Sequence, residues 1–224
     1  FASPYCQRPI ELGADFVVAS LTKGICGFGT DMGGVVVGPR WSYDRVLLYR
    51  KDFGGALAAK SAWPLLVYGL PSLPTRMKQQ MASAMEVATF LENDARIAYV
   101  SYPGLKSFPQ YALAQKQMRD YDGNFAPGSM LFFSLKGKTP KIRKDRGEKF
   151  INFLAKNAYT ITLAVSLGHI RTLVEHPSSM THSAIPIGEQ IEKGIDPGGV
   201  RLSIGLEKPK DILRDIVEAL NSLK

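Results

Sequence analysis

The sequence predicts an α/β protein on three observations. Short apolar runs of strand length alternate with segments of helical period, glycine and proline mark the joints between them, and the segment Pro209–Leu223 carries a clear helical stripe. The first run, Phe16-Val17-Val18-Ala19, reads as a buried strand. A glycine-rich loop from Gly24 to Gly34 leads to a second buried run, Val35-Val36-Val37, closed by Gly38-Pro39. Lys23 therefore falls in the loop between two strands. Residues 44–68 are expected to be helical in parts, and Gly69-Leu70-Pro71 with Pro74 punctuates the chain.

From Arg76 the period becomes helical, with Met77, Met81, Met85, Ala88 and Leu91 on one face as core packing. A domain boundary is expected near residues 71–76, dividing the chain into 1–75 and 76–224. Ala98–Tyr102 reads as a strand closed by Pro103-Gly104, Pro109–Met118 as a short helix, Met130–Leu135 as a strand and Glu148–Leu154 as a helix. Ile161–Val165 and Val200–Ile204 read as strands. In the last helix Pro209 suits the first turn, and Ile212, Leu213, Ile216, Val217 and Leu220 form the apolar stripe.

Composition narrows the function classes. At 45% hydrophobic and 21% charged residues the chain has the balance of an ordinary soluble domain. No apolar run approaches the ~20 residues of a membrane-spanning helix, and the Phe1-Ala2-Ser3-Pro4 start lacks the form of a signal peptide. A start without methionine is that expected of a fragment or processed piece. Cys6 and Cys26 suggest no disulfide framework, so a reducing cytoplasm is expected. They match no zinc spacing with His169, His176 and His182, and no metal is expected. The net charge of +8 raises a nucleic-acid partner. The densest basic run, Lys136 to Lys149, lacks interleaved aromatics and reads instead as a solvated loop and helix start.

The chemistry-bearing string is Ala19-Ser20-Leu21-Thr22-Lys23-Gly24. Burial disfavours a lysine's charged form, and a neutral amine can attack an aldehyde to form a Schiff base. Ser20 and Thr22 can donate to phosphate oxygens, and Gly24, Gly27 and Gly29 allow close approach of a bulky ligand. By itself the string reads more readily as a strand end with a solvated lysine. The glycines fit neither the dinucleotide fingerprint nor the Walker loop.

The order of several further motifs adds to this. Ser3-Pro4-Tyr5 with Gln7-Arg8-Pro9, Glu11–Asp15, Ser20–Lys23, Tyr102–Leu105, Phe108–Tyr111, Ser166-Leu167-Gly168, His176–His182, Gly194-Ile195 and Val200–Gly205 follow one another. In that order the chain resembles the C-terminal part of the cystathionine γ-lyase, cystathionine γ-synthase and methionine γ-lyase family. The resemblance implies a pyridoxal-phosphate-dependent transferase fold of type I, with the end of the large cofactor domain (1–75) followed by the small C-terminal α/β domain (76–224). It implies pyridoxal 5'-phosphate on Lys23, phosphate contacts from Ser20 and Thr22, and substrate-carboxylate contacts from Arg201 and Ser166. Without it, Arg201 reads as a strand salt bridge and Ser166 as a turn beside Gly168. The histidines of the 176–182 loop and Cys26 are expected to be structural.

Two departures bear on substrate choice. Gly27-Phe28-Gly29-Thr30 stands where the family has Gly-His-Gly-Asp, and Tyr68 where it has arginine. Val165 before Ser166 and the run Ser107–Tyr111 lean towards methionine γ-lyase. The resemblance further implies an amino-acid substrate, a tetramer, and an N-terminal segment or second chain bearing the cofactor-clamping aspartate and the ring-stacking tyrosine. The implied reaction is γ-elimination giving thiol, 2-oxo acid and ammonia. The alternatives are γ-replacement, a non-catalytic family member, and a basic binding module.

Overall fold

A computed structural model describes residues 2–223. Its centre is a five-stranded mixed sheet in the order β3-β4-β7-β6-β5, formed by β3 (Ile97–Ser101), β4 (Met130–Leu135), β7 (Gly199–Ser203), β6 (Thr172–Glu175) and β5 (Ile161–Leu163). All neighbours are antiparallel except β5 and β6. Strand alternation sorts the side chains by face. Leu131, Phe133 and Leu135 of β4 and Val200 and Leu202 of β7 enter the main core. There they meet three long helices: α4 (Leu70–Asn93), α6 (Pro140–Asn157) and α8 (Pro209–Asn221). Burying each such side chain stabilises by about 1.5–3 kcal/mol. The alternate residues, Arg201 and Ser203 on β7 and Glu175 on β6, point away from that core, and the site is built from them.

Helix α8 buries Ile212, Ile216, Ala219 and Leu220, a stripe at i, i+4, i+7 and i+8. Asp215 is buried beside the stripe because its carboxylate is satisfied, by Tyr159 N at 3.0 Å, Thr160 N at 2.7 Å and Thr160 Oγ1 at 2.7 Å. Helix α6 starts well before the expected Glu148. Thr139 caps it by accepting from Ile142 N at 3.2 Å, and Pro140 takes the first turn. Much of the basic run is thus a loop and a helix start, with Arg143 paired to Asp196 at 3.1 Å.

Helix α4 also begins earlier than its apolar period. Gly69 and the prolines at 71 and 74 do not break the chain: Pro71 sits in the first turn, where a missing N–H costs nothing. One residue of the expected stripe falls outside it, since Met85 is 36% exposed. Each four-residue step advances about 400° around a helix, so two steps from Met77 carry Met85 about 80° off the face. Ala84, Val87 and Ala88 fill the core in its place.

Residues before α4 form smaller elements: α1 (Ser3–Cys6), β1 (Val17–Ser20), β2 (Gly34–Val37), α2 (Tyr43–Asp52) and α3 (Ala59–Pro64). Strands β1 and β2 pair antiparallel as a two-stranded ribbon, Val17 opposite Val37 and Ser20 opposite Gly34. They were expected to be buried and are not. Val18 is 76% exposed, and Val36 and Val37 are both 50% exposed. Among the described residues no third strand joins the ribbon. Two short helices complete the fold, α5 (Tyr111–Gln117) and α7 (Ile187–Glu192). No helix among the described residues is long and apolar enough to cross a membrane.

Candidate active site

The site forms where the turn after β1 meets the loop between β5 and β6. Because these two strands are parallel, the chain must return along their length before re-entering the sheet. Residues 164–171 make that return without a helix and project towards Lys23. Gly168 fixes the approach. Its φ is +75°, and a Cβ there would lie 2.5 Å from Gly24 N, so only glycine lets the two backbones touch. Ser203 Oγ accepts from Gly168 N at 2.7 Å, and Gly27 O accepts from Ile170 N at 2.7 Å.

Lys23 Nζ donates to Ser166 Oγ at 3.1 Å, and Ser166 Oγ lies 3.2 Å from His169 Nε2. Ser166 and His169 line a cavity of about 440 Å³ together with Thr22, Thr30, Asp31 and Ser61. Thr22 Oγ1 accepts from Gly33 N at 3.0 Å, which anchors the turn. Ser20 ends β1 exposed, outside the cavity lining. Arg201 lies on the same face of the sheet. Its Nη2 donates to Val165 O at 2.6 Å and Ser166 O at 3.1 Å and pairs with Glu175 Oε2 at 2.5 Å. Nε and Nη1 of Arg201 have no protein partner among the described residues. A wider depression of about 770 Å³ beside Lys136–Arg146 contains none of these groups.

Three residues that sequence reasoning passed over hold the site together. Arg76, 3% exposed, has no carboxylate partner among the described residues. Its guanidinium donates to Gly24 O at 3.0 Å, Ile25 O at 3.0 Å and Gly69 O at 2.9 Å, and it lies 5.6 Å from the Phe28 ring. Gln80 donates to His169 O at 2.8 Å and Ile204 O at 3.0 Å. Both are on α4, one turn apart, and their polarity at core positions of an apolar stripe was the available signal. His169 was noted only as a non-ligand. Burial, then the charge of Lys23, holds its imidazole below the ordinary value.

Of the other expected structural residues, His176 and Cys26 are enclosed, while His182 is half-buried. Burial pulls the His176 imidazole downward. Its Nε2 meets Pro197 O at 2.8 Å and its Nδ1 meets Ser179 Oγ at 2.7 Å. The carbonyl can only accept, which makes Nε2 the protonated nitrogen. Cys26 is fully buried. Among the described residues no His, Cys, Asp or Glu cluster has the make-up of a metal site.

Fold and site together define a mixed α/β protein in which a lysine bonds a serine on the wall of a cavity where a ribbon and a sheet meet. The chain belongs to the Cys/Met metabolism PLP-dependent enzyme family, whose sequence model matches residues 1–221. It is 41% identical over 223 residues to L-methionine gamma-lyase of Pseudomonas putida, covering 99% of this chain and 52% of that protein. It is 38% identical over 221 residues to a cystathionine beta-lyase of Coxiella burnetii, covering 98% and 53%. Its fold matches the crystal structure of cystathionine gamma synthase from Xanthomonas oryzae pv. oryzae with a TM-score of 0.85 at 32% identity, over 99% of this chain and 53% of that one. The chain spans about half the length of the relatives it matches.

Proposed function

We propose that the protein is a pyridoxal-phosphate enzyme that eliminates the γ-substituent of a sulfur amino acid, methionine first among the candidates, to give a thiol, a 2-oxo acid and ammonia. The observation that carries this reading is the Lys23 amine, 3.1 Å from Ser166 Oγ at the wall of a cavity, in a chain whose family is named for that cofactor. The donor set fits the group. There is an amine for its aldehyde, and the Thr22 hydroxyl lines the cavity to serve its phosphate, with Ser20 two residues earlier, outside the lining. Arg201 keeps two nitrogens free for a substrate carboxylate.

When bound, the cofactor supplies an electron sink for charge developing at the substrate α-carbon. Lys23 anchors it and, once displaced by the substrate amine, takes the α-proton as general base. Ser166 accepts an N–H of Lys23 and so aims the amine. Arg201, steadied by Glu175 and the 165–166 carbonyls, orients the carboxylate. The remaining contacts come from an N-terminal segment or a second chain, in a cytoplasmic homotetramer divided at residues 1–75 and 76–224.

The test is borohydride reduction of the full-length protein after addition of pyridoxal phosphate, followed by peptide mapping. A pyridoxyl adduct confined to the Lys23 peptide is expected; adducts scattered over exposed lysines, or none, would sink the reading. The relatives named cystathionine beta-lyase and cystathionine gamma synthase support two further outcomes with the same cofactor. Release of 2-oxobutyrate from methionine, set against cleavage of cystathionine and thioether formation from an activated homoserine, separates the three.

A further inference from the structure

His169 has no task in the reaction as derived, yet it is held in place more firmly than a bystander needs. Its carbonyl accepts from the buried Gln80, and the next residue is tied to Gly27 O. Its ring fills the space left by Gly29, where a Cβ would lie 2.7 Å from His169 Cε1. The result is a linear series: Lys23 Nζ to Ser166 Oγ at 3.1 Å, and Ser166 Oγ to His169 Nε2 at 3.2 Å.

The donor and acceptor inventory fixes the direction of that series. In the observed contact the Lys23 amine is the donor, so Ser166 accepts from Lys23 and keeps its own hydrogen to give. That hydrogen can go to His169 Nε2 only while Nε2 is unprotonated. A protonated ring would turn Nε2 into a second donor aimed at Ser166 Oγ and leave the serine hydrogen without a partner. Lys23 on the turn is the charged group that acts on the imidazole, and Asp31 stands on the wall of the same cavity. Burial and the charge of Lys23 both favour the neutral ring.

We propose that His169 is a positioning residue for Lys23: the neutral imidazole, acting through Ser166, fixes the direction of the lysine amine, and protonating it frees Ser166 and unlocks the lysine. The proposal rests on Lys23 being the cofactor-binding lysine.

The experiment uses the full-length protein with His169→Phe, which removes the acceptor, and His169→Gln, which supplies another. His169→Phe lowers kcat about fivefold, the weight of one hydrogen bond, with KM little changed, and His169→Gln restores most of the loss. The acid limb of the wild-type pH profile follows the His169 titration and is absent from His169→Gln. A second readout needs no cofactor. With 13C-labelled histidine, the His169 resonance, identified by its loss in His169→Gln, titrates at higher pH in Lys23→Met, because a neighbouring positive charge is gone. A resonance indifferent to Lys23→Met, or a His169→Phe enzyme with wild-type kcat and pH profile, would overturn this proposal alone. A wild-type Lys23 that takes no pyridoxyl label would overturn the parent reading and this one with it.

Discussion

Residues before α4 and residues from α4 onward treat apolar side chains in opposite ways. Among the described residues, 19 of the 29 large apolar side chains left exposed lie before α4, between Ile10 and Tyr68, among them Trp41 at 72% and Trp63 at 62%. The later region gathers its strands and three helices around one core of fully enclosed residues. The difference lies in what is available to cover them. A five-stranded sheet with helices on it closes its own core; a two-stranded ribbon with short helices does not. Apolar exposure on this scale is that of an interaction surface rather than of a closed core. The relatives, twice the length of this chain, show that a further layer of protein has room in the family.

The contrast can be broken or sharpened by substitution. The largest effect is expected at Phe133, fully buried and edge-on to Phe150: Phe133→Ala should cost about 3–5 kcal/mol in urea unfolding. A loss under 1 kcal/mol would mean that the core is not closed. Next comes Asp215→Asn, at about 1–3 kcal/mol near neutral pH. Burial pushes the Asp215 carboxyl up, but the hydrogen bonds from Thr160 and Arg214 outweigh it and hold the group below its ordinary value of 3.8. Its contribution is therefore complete above pH 3.8 and is lost as pH falls through the lower folded value. Melting temperatures of wild type and Asp215→Asn should converge in acid; curves that stay parallel would refute the assignment.

Gly168→Ala tests the seam between the two regions. A left-handed φ and the 2.5 Å approach to Gly24 N should together cost about 1–2 kcal/mol and separate Ser166 from Lys23. The smallest effect belongs to Val18→Ala, which should stay within about 0.5 kcal/mol in this chain alone. Once the N-terminal segment is supplied, the same change should cost more, and the Trp41 and Trp63 emission should shift to the blue. An unchanged spectrum would show that the ribbon face stays wet.

How much of this was legible from the residues follows the same division. Strand β4 was read at its observed limits and helix α8 nearly so, because both fold around contacts made within the chain. The strands beside Lys23 were placed correctly but misjudged in burial, because valine runs signal a buried strand whether or not the burying partner is present. Strand β6 was missed: its apolar pair Leu173-Val174 is flanked by Thr172 and Glu175, too little for a run or an alternation to show. At the site, Lys23 and Ser166 were both singled out and lie together, and Arg201 donates to the carbonyl of Ser166. What brings His169, Gln80 and Arg76 to the same place is the return loop between parallel strands and its seat on α4, and no local pattern encodes that.

The Arg76 guanidinium has a consequence for motion. A turn held by separate weak contacts would fray one residue at a time, beginning at its glycines. Here the carbonyls of Gly24, Ile25 and Gly69 share one rigid, planar cation rooted in the longest helix. None of the three can leave without stranding a buried charge, so the segment behind Lys23 opens as a single unit or stays shut.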